Sequence, residues 1–162
     1  MINELQFLEK SFKTKLQNLT KDAECEAYFG YSFNVESYRI KYRKAKITPT
    51  KAGQFVTFWK RDNEGKTVPF HENDSFDFYV IQVETETNLG FFVFPKKVLV
   101  QQQIVSSVKE GKRGFRVYPI WDFTENKQAQ KSQKWQNNYF IDLSENKANF
   151  KERFFNILEQ NQ

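Results

Sequence analysis

Ser75–Pro95 reads SFDFYVIQVETETNLGFFVFP. Aromatic and β-branched residues fill both ends, and Asn88-Leu89-Gly90 supplies turn residues between them, the pattern of a β-hairpin. The second arm, GFFVFP, is apolar without alternation. Strands of that kind are covered on both faces, so this hairpin is expected deep inside a sheet.

Further strands are expected on either side of it. Tyr38, Ile40 and Tyr42 alternate with Arg39, Lys41 and Arg43, the period of a half-buried strand. Gln54–Lys60 (QFVTFWK) reads as a second strand and Gly114–Tyr118 as another. The two ends of the chain read as amphipathic helices. Leu5, Leu8, Phe12, Leu16 and Leu19 recur at three- and four-residue steps, as do Phe150, Phe154, Ile157 and Leu158. After Pro119, the spacing of Asp122 and Glu125 predicts a capping box and a helix from Thr124 to about Ile141. Helix, strands, then helices predict a single α/β domain over residues 1–162, with a central mixed sheet flanked by helices.

Composition supports a folded chain. Aromatics make up 17% of 162 residues, with eighteen Phe, too much apolar bulk for disorder. The only cysteine, Cys25, rules out an intramolecular disulfide, and its acidic neighbours argue against a reactive thiolate. Ile2–Lys10 has no basic n-region and no long apolar core. A signal peptide and a transmembrane helix are therefore not expected, and the reading is cytoplasmic.

The net charge is +5, and it is unevenly placed. Ser37–Arg61 holds eight cations (Arg39, Lys41, Arg43, Lys44, Lys46, Lys51, Lys60 and Arg61) and no acid. Same-face residues on a strand are about 7 Å apart, close to the phosphate spacing of a nucleic-acid strand. Arg39, Lys41 and Arg43 therefore read either as a phosphate-contacting row or as the protective cations of a solvated edge strand. Lys46, Thr48, Thr50 and Lys51 surround Pro49 in a loop, a mixture suited to phosphate. Trp59, Lys60 and Arg61 set an aromatic beside two cations.

Two more groups join them. Lys109, Lys112, Arg113 and Arg116 frame a glycine turn, near Lys96 and Lys97. On the expected third helix, Lys127, Lys131 and Lys134 form one stripe, and no acid occurs from Asn126 to Ile141. Gln128, Ser132, Trp135 and Tyr139 make the neighbouring stripe, while Gln130, Gln133 and Gln136 offer amides to base edges. Cations separated in sequence on a chain whose acids lie elsewhere point to a polyanion, above all nucleic acid.

Catalytic patterns are sparse. His71 is the only histidine, and the chain has no HExxH, Walker or GxGxxG motif. One partial pattern stands out. PD-(D/E)xK nucleases place an Asp on one hairpin strand and an acid-x-Lys on the next. Here Asp77 and Lys96 are present, but Phe94 stands where the second acid belongs, and a benzyl group cannot hold Mg²⁺. Glu84 is the remaining candidate acid. The expectation is a nuclease-like shape whose metal site is lost, with neither cofactor nor metal. An active nuclease using Asp77, Glu84 and Lys96 is the alternative.

Five blocks resemble the MepB family: KITPTKAGQFVTFWKR, SFDFYVIQVE, GFFVFPKKVL, GFRVYPIWD and QAQKSQKWQNNYF. They run in order from Lys46 to Phe140. The resemblance implies a bacterial protein associated with a multidrug-efflux gene cluster. It also implies a fold like that of type II restriction endonucleases, and nucleic-acid binding without demonstrated cleavage. It carries over Lys46, Thr48, Thr50, Lys51, Trp59, Lys60, Arg61, Lys96, Arg116, Lys131 and Lys134 as binding candidates. Arg43, Arg113 and Lys127 join them from the charge pattern alone. The partner expected is DNA or RNA, without membrane insertion, and a nuclease-like fold is compatible with a homodimer. The rival readings are a protein-interaction module that modulates drug efflux, and a small-ligand pocket lined by aromatics.

Overall fold

The computed structural model describes residues 3–162, apart from the side chains of residues 3, 4 and 24–26. The expectations for Met1, Ile2 and the Cys25 thiol therefore lie outside the described residues. In chain order come α1 (Asn3–Phe12), β1 (Gln17–Lys21), a 3₁₀ turn (Ala23–Tyr28), β2 (Tyr31–Val35) and β3 (Tyr38–Lys44). Then follow β4 (Lys46–Ile47), β5 (Gln54–Thr57), β6 (Trp59–Arg61), β7 (Thr67–Pro69), β8 (Phe78–Glu84) and β9 (Leu89–Pro95). The chain closes with α2 (Lys96–Gln101), β10 (Gly114–Val117), α3 (Lys127–Gln136), a second 3₁₀ turn (Asn137–Tyr139), β11 (Phe140–Asp142) and α4 (Phe150–Gln160).

The main sheet has the order β1-β2-β3-β8-β9-β11. Only the β3–β8 pair is parallel, so the sheet is mixed as expected. The β8–β9 hairpin lies inside it, and every residue from Gly90 to Pro95 is buried. Its side chains alternate between two separate cores. Phe78, Val80, Phe91 and Val93 face α1 and α4, where Leu5, Leu8, Phe12, Phe150, Phe154 and Leu158 complete the packing. Tyr79, Ile81, Val83, Phe92 and Phe94 face the other way, against Val56, Phe58, Phe115 and Val117. The second layer holds a three-stranded sheet, β10-β5-β4, and a two-stranded ribbon, β6-β7. Helix α3 borders it, with Ala129 and Gln136 buried.

Several local expectations change. The hairpin turn is Thr85–Asn88, slightly earlier than Asn88–Gly90, because Thr85 N–H donates to Asn88 O at 2.9 Å and β9 already starts at Leu89. Gln54–Lys60 is not one strand: Phe58 turns into the core, and the chain passes from one small sheet to the other. Helix α1 stops at Phe12, so Leu16 is buried beyond its end and Leu19 is exposed on β1. The capping box does not form. Asn126 caps α3 by accepting from Ala129 N–H at 2.8 Å, and the helix ends at Gln136.

The largest change concerns β3. It pairs with β2 on one side and β8 on the other, so it is not an edge. Its cationic face is covered progressively along the strand: Arg39 is exposed, Lys41 is half-buried, and Arg43, expected to face solvent, is 1% exposed. Its Nη1 donates to Asp22 Oδ2 at 2.8 Å and to Tyr42 O at 2.8 Å, and the guanidinium lies over the Phe58 ring. Lys41 reaches the same carboxylate at 3.3 Å, and Ser32 Oγ donates to its other oxygen at 2.7 Å. Burial alone would raise the Asp22 pKa, but Arg43, Lys41 and Ser32 outweigh it and hold the carboxyl below its usual value.

Removing one partner of such a buried pair costs about 3 kcal/mol or more. Asp22→Asn is expected to destabilise the protein by about that much at pH 7 in urea unfolding. Because the folded pKa of Asp22 is lowered, its contribution is present above the unfolded value of about 3.9 and is lost as pH falls through the folded value. The two proteins should therefore converge in stability as the titration is carried well below pH 4.

Candidate nucleic-acid interface

The cations of Ser37–Arg61 are mostly engaged by other groups of the chain. Arg39 grips Asp77 with two nitrogens, at 2.9 and 3.1 Å. Lys41 and Arg43 share Asp22, Lys44 pairs with Glu84, and Lys60 pairs with Asp74 at 2.6 Å. Lys46 lies over the Tyr28 ring. Arg61 donates to Gly65 O and lies over Trp59. Of the eight, Lys51 alone is exposed with neither an ion pair nor a ring contact among the described residues.

Exposed lysines without ion pairs occur on several faces, Lys13, Lys15, Lys97 and Lys147 among them, and one set lies around α3 and the concavity beside it. Among the described residues, Lys51, Lys112, Lys127, Lys131 and Lys134 are all exposed and none forms an ion pair. Between α3 and β10 lies an open cavity of about 590 Å³, lined by Lys112, Arg116, Gln128, Lys131, Ser132 and Trp135 among others. A second, of about 540 Å³, continues past the N-terminus of α3 and is lined by Thr50, Lys51, Arg116, Phe123, Glu125 and Asn126 among others. Arg116, Tyr118, Asn126 and Ala129 line both, so the two form one groove. Lys127 and Lys134 flank Lys131 on the helix surface, as an outer lip. Glu125 is the one acid lining either of these two cavities.

Local chemistry builds the groove walls. Arg116 Nε donates to Ala52 O at 3.1 Å, and its Nη2 donates to Thr48 Oγ1 at 2.6 Å and Gly53 O at 3.2 Å. These bonds shape the Thr48–Gly53 loop and leave the Nη1 of Arg116 out of them. Gly53 adopts φ +77°, and a Cβ there would meet the Tyr118 ring and Val117 O at 2.7 Å. Gly53 N–H donates to Asp122 Oδ2 at 3.0 Å. Burial pushes the Asp122 carboxyl above its usual value, against the opposing pull of Gly53 N–H and Arg116.

Gln130, Gln133 and Gln136 do not point at a ligand as expected; they hold the helix down. Gln136 is buried; its Nε2 donates to Arg116 O at 2.9 Å and its Oε1 accepts from Tyr118 N–H at 2.8 Å. Gln133 Nε2 donates to both Pro119 O and Asp122 O at 2.9 Å. Gln130 Nε2 donates to Thr124 O at 3.1 Å. Gln128 and Ser132, with Trp135, do line the groove.

The other candidates lie away from it. Trp59, Lys60 and Arg61 occupy the β6–β7 ribbon. Arg113 joins that ribbon by donating to Thr67 O, at 2.9 Å from Nη2. Lys96 Nζ donates to Glu72 O and Asp74 O at 2.9 and 2.6 Å. Burial, followed by the neighbouring Arg39, lowers its pKa despite three nearby acids. Trp121 is half-buried, its ring edge-on to Phe140.

The residues of the nuclease pattern are likewise engaged. Both Asp77 oxygens accept from Arg39, and Arg39 N–H adds a bond of 2.8 Å to Oδ2. Burial raises the Asp77 pKa, but these bonds outweigh it and the carboxyl lies below its usual value. Asp77 and Glu84 stand at opposite ends of β8, about 23 Å apart at strand rise. Among the described residues, no group of three or more His, Cys, Asp or Glu is placed to hold a metal ion. No helix there is long and apolar enough to cross a membrane.

With this geometry in place, comparison with known proteins identifies the class. A model of the MepB-like family matches residues 22–142, and the chain belongs to that family. The crystal structure of MepB is similar over 90% of this chain and 99% of its own, at 34% identity and a TM-score of 0.80. A bacterial homing endonuclease, I-Ssp6803I, is more remote, at 15% identity and a TM-score of 0.45 over 84% of this chain and 87% of its own. Among curated protein sequences, none matches the chain.

Gln136 is the residue on which the groove wall depends. Gln136→Leu leaves the Arg116 carbonyl and the Tyr118 N–H without their side-chain partner, at about 2 kcal/mol or more. Thermal unfolding should show a fall in Tm of about 6 °C.

Proposed function

We propose that this chain is a non-catalytic nucleic-acid-binding protein, and that its binding surface is the groove between α3, β10 and the Thr48–Gly53 loop. One observation carries the reading. Lys51, Lys112 and Lys131, exposed and without ion pairs among the described residues, line one concavity together with Arg116, with Glu125 as its one acid, and Lys127 and Lys134 follow on the same helix. Cations left unpaired on one face attract a polyanion, and neutralising phosphates releases their counterions. The charged groups of the wall, the ammonium groups of Lys51, Lys112 and Lys131 and the Arg116 guanidinium, suit phosphates, and phosphate contacts fix position without reading bases. Binding is therefore largely independent of sequence.

On this reading the protein works in the cytoplasm, where nucleic acid is met. A connection with multidrug efflux, which the family resemblance carries, would run through nucleic acid. The non-catalytic part of the proposal rests on Asp77, whose oxygens are held by Arg39 and not offered to a metal.

Fluorescence anisotropy against labelled oligonucleotides tests the surface. The log of the association constant is expected to fall linearly with log salt, by roughly 0.7–0.9 per phosphate contacted. Lys131→Glu should weaken binding about tenfold and reduce that slope by about 1 or more. Lys60→Gln, on the ribbon and paired to Asp74, should change it by less than about twofold. Binding indifferent to salt, or lost with Lys60 and kept with Lys131→Glu, would show the surface to be elsewhere. A groove that instead meets an acidic protein would show weak oligonucleotide binding in every variant.

Incubation of plasmid and single strands with Mg²⁺ or Mn²⁺ tests the non-catalytic part. Intact substrate is expected. Cutting that disappears in Asp77→Ala would establish the nuclease reading instead.

A further inference from the structure

We propose that the helical side of the main sheet carries a second site, a groove between α1, α4 and the β2–β3 turn that binds a short apolar peptide by its two charged ends. The site is separate from the groove beside α3 and does not rest on the nucleic-acid reading. Two open cavities build it. The larger, of about 580 Å³, lies along α4. The smaller, of about 280 Å³, reaches the link from α1 to β1. Lys13, Glu36, Lys151 and Phe155 line both, so the two are continuous. Phe150 in the larger and Phe12 in the smaller belong to the core beneath and add apolar floor. The volume is in the range of sites for small ligands.

The first observation is charge. Lys13, Lys15, Lys147 and Lys151 line this groove, and so do Glu36, Glu152 and Glu159. All are exposed, and among the described residues none forms an ion pair. Lys44 with Glu84 and Lys60 with Asp74 show the alternative, in which opposite charges satisfy one another. The order of groups on α4 gives the groove a direction. Lys151, Phe155 and Glu159 recur at four-residue steps, so cation, ring and carboxylate form one stripe. The stripe is about 12 Å long at helical rise. A zwitterion with an apolar middle matches that order, its carboxylate at Lys151 and its ammonium at Glu159. Extended peptide rises about 3.3 Å per residue, so about 12 Å corresponds to roughly four residues.

The second observation is backbone conformation. Among the described residues, six other than glycine have positive φ, and three of them line the larger cavity: Lys13 at +56°, Glu36 at +53° and Asn149 at +63°. Asn tolerates that region, but Lys and Glu meet a steric penalty there. Lys13 directly follows α1, where Gly is the usual residue. Glu36 opens the two-residue turn between β2 and β3, where Asn, Asp or Gly is usual. Each position thus holds a long charged side chain where the two cavities join, in place of the residue that stability favours. Strain of this kind collects at binding sites. A peptide gives the pair a use, since Lys13 can donate to its carbonyl groups and Glu36 can accept from its N–H groups.

Isothermal titration calorimetry with the tetrapeptide Ala-Leu-Leu-Ala tests the site. With both ends free it is expected to bind with a Kd of about 1 mM or tighter. N-acetylation and C-amidation should each weaken binding about fivefold. In Glu159→Gln the acetyl group should cost less than about twofold, and in Lys151→Gln the amide should, because the partner of that end is then gone. Glu36→Asn should weaken the free peptide about threefold without lowering Tm. Indifference of the wild-type protein to either block, or no binding up to about 10 mM, would overturn the inference. So would full binding kept in Glu36→Asn, Glu159→Gln and Lys151→Gln alike. None of these outcomes bears on the groove beside α3, because the two sites share no lining residue.

Discussion

Neither face of the β8–β9 hairpin can meet water. Phe78, Val80, Phe91 and Val93 on one side, and Tyr79, Ile81, Phe92 and Phe94 on the other, each need an apolar layer. At about 1.5–3 kcal/mol for each large side chain buried, both layers are obligatory. Two terminal helices supply the first. The second is assembled from short pieces: the β10-β5-β4 sheet, the β6-β7 ribbon and a helix, α3. Short pieces do not close a surface smoothly, and the groove lies where α3 and β10 meet. The binding surface is thus a consequence of how the second core is covered.

The distribution of charge follows from the same layering. Ser37–Arg61 threads through the sheet and then through its second layer, so Arg43 is buried and Lys41, Lys44 and Lys60 are half-buried. Cations there require partners, and Asp22, Asp74, Asp77 and Glu84 provide them from distant positions in the chain. The acids that balance the segment are therefore invisible in its local composition. The lysines of α3 and its neighbours lie outside this interior and keep their charge for solvent or a ligand. Density of charge along the sequence and availability of charge at the surface are different quantities, and in this chain they run nearly opposite.

Much of the fold was legible. The unbroken apolar run GFFVFP marked a strand buried on both faces, and the terminal helices showed their stripes. What escaped was long-range. The alternation of Tyr38–Arg43 fits a half-exposed strand, and only the groups laid over its far end, the Phe58 ring and Asp22, make Arg43 an interior residue. Phe58 reads as mid-strand until its ring is seen stacked on Tyr79, at 3.9 Å between centroids, where the chain changes sheets. At the site, the lysine stripe and its neighbours Gln128, Ser132 and Trp135 were readable from helical spacing. The roles of Gln133 and Gln136 were not, because their partners are backbone groups of a loop and a strand.

The central claim is that nucleic acid meets the α3 groove and not the densest stretch of positive charge. Backbone amide shifts, followed by NMR while a short oligothymidylate is titrated in at low salt, test it most directly. Perturbations are predicted to cluster at Thr48–Gly53, Lys112–Tyr118 and Phe123–Trp135. Perturbations centred on Trp59–Arg61 and the β6–β7 ribbon, with the α3 groove unmoved, would contradict it.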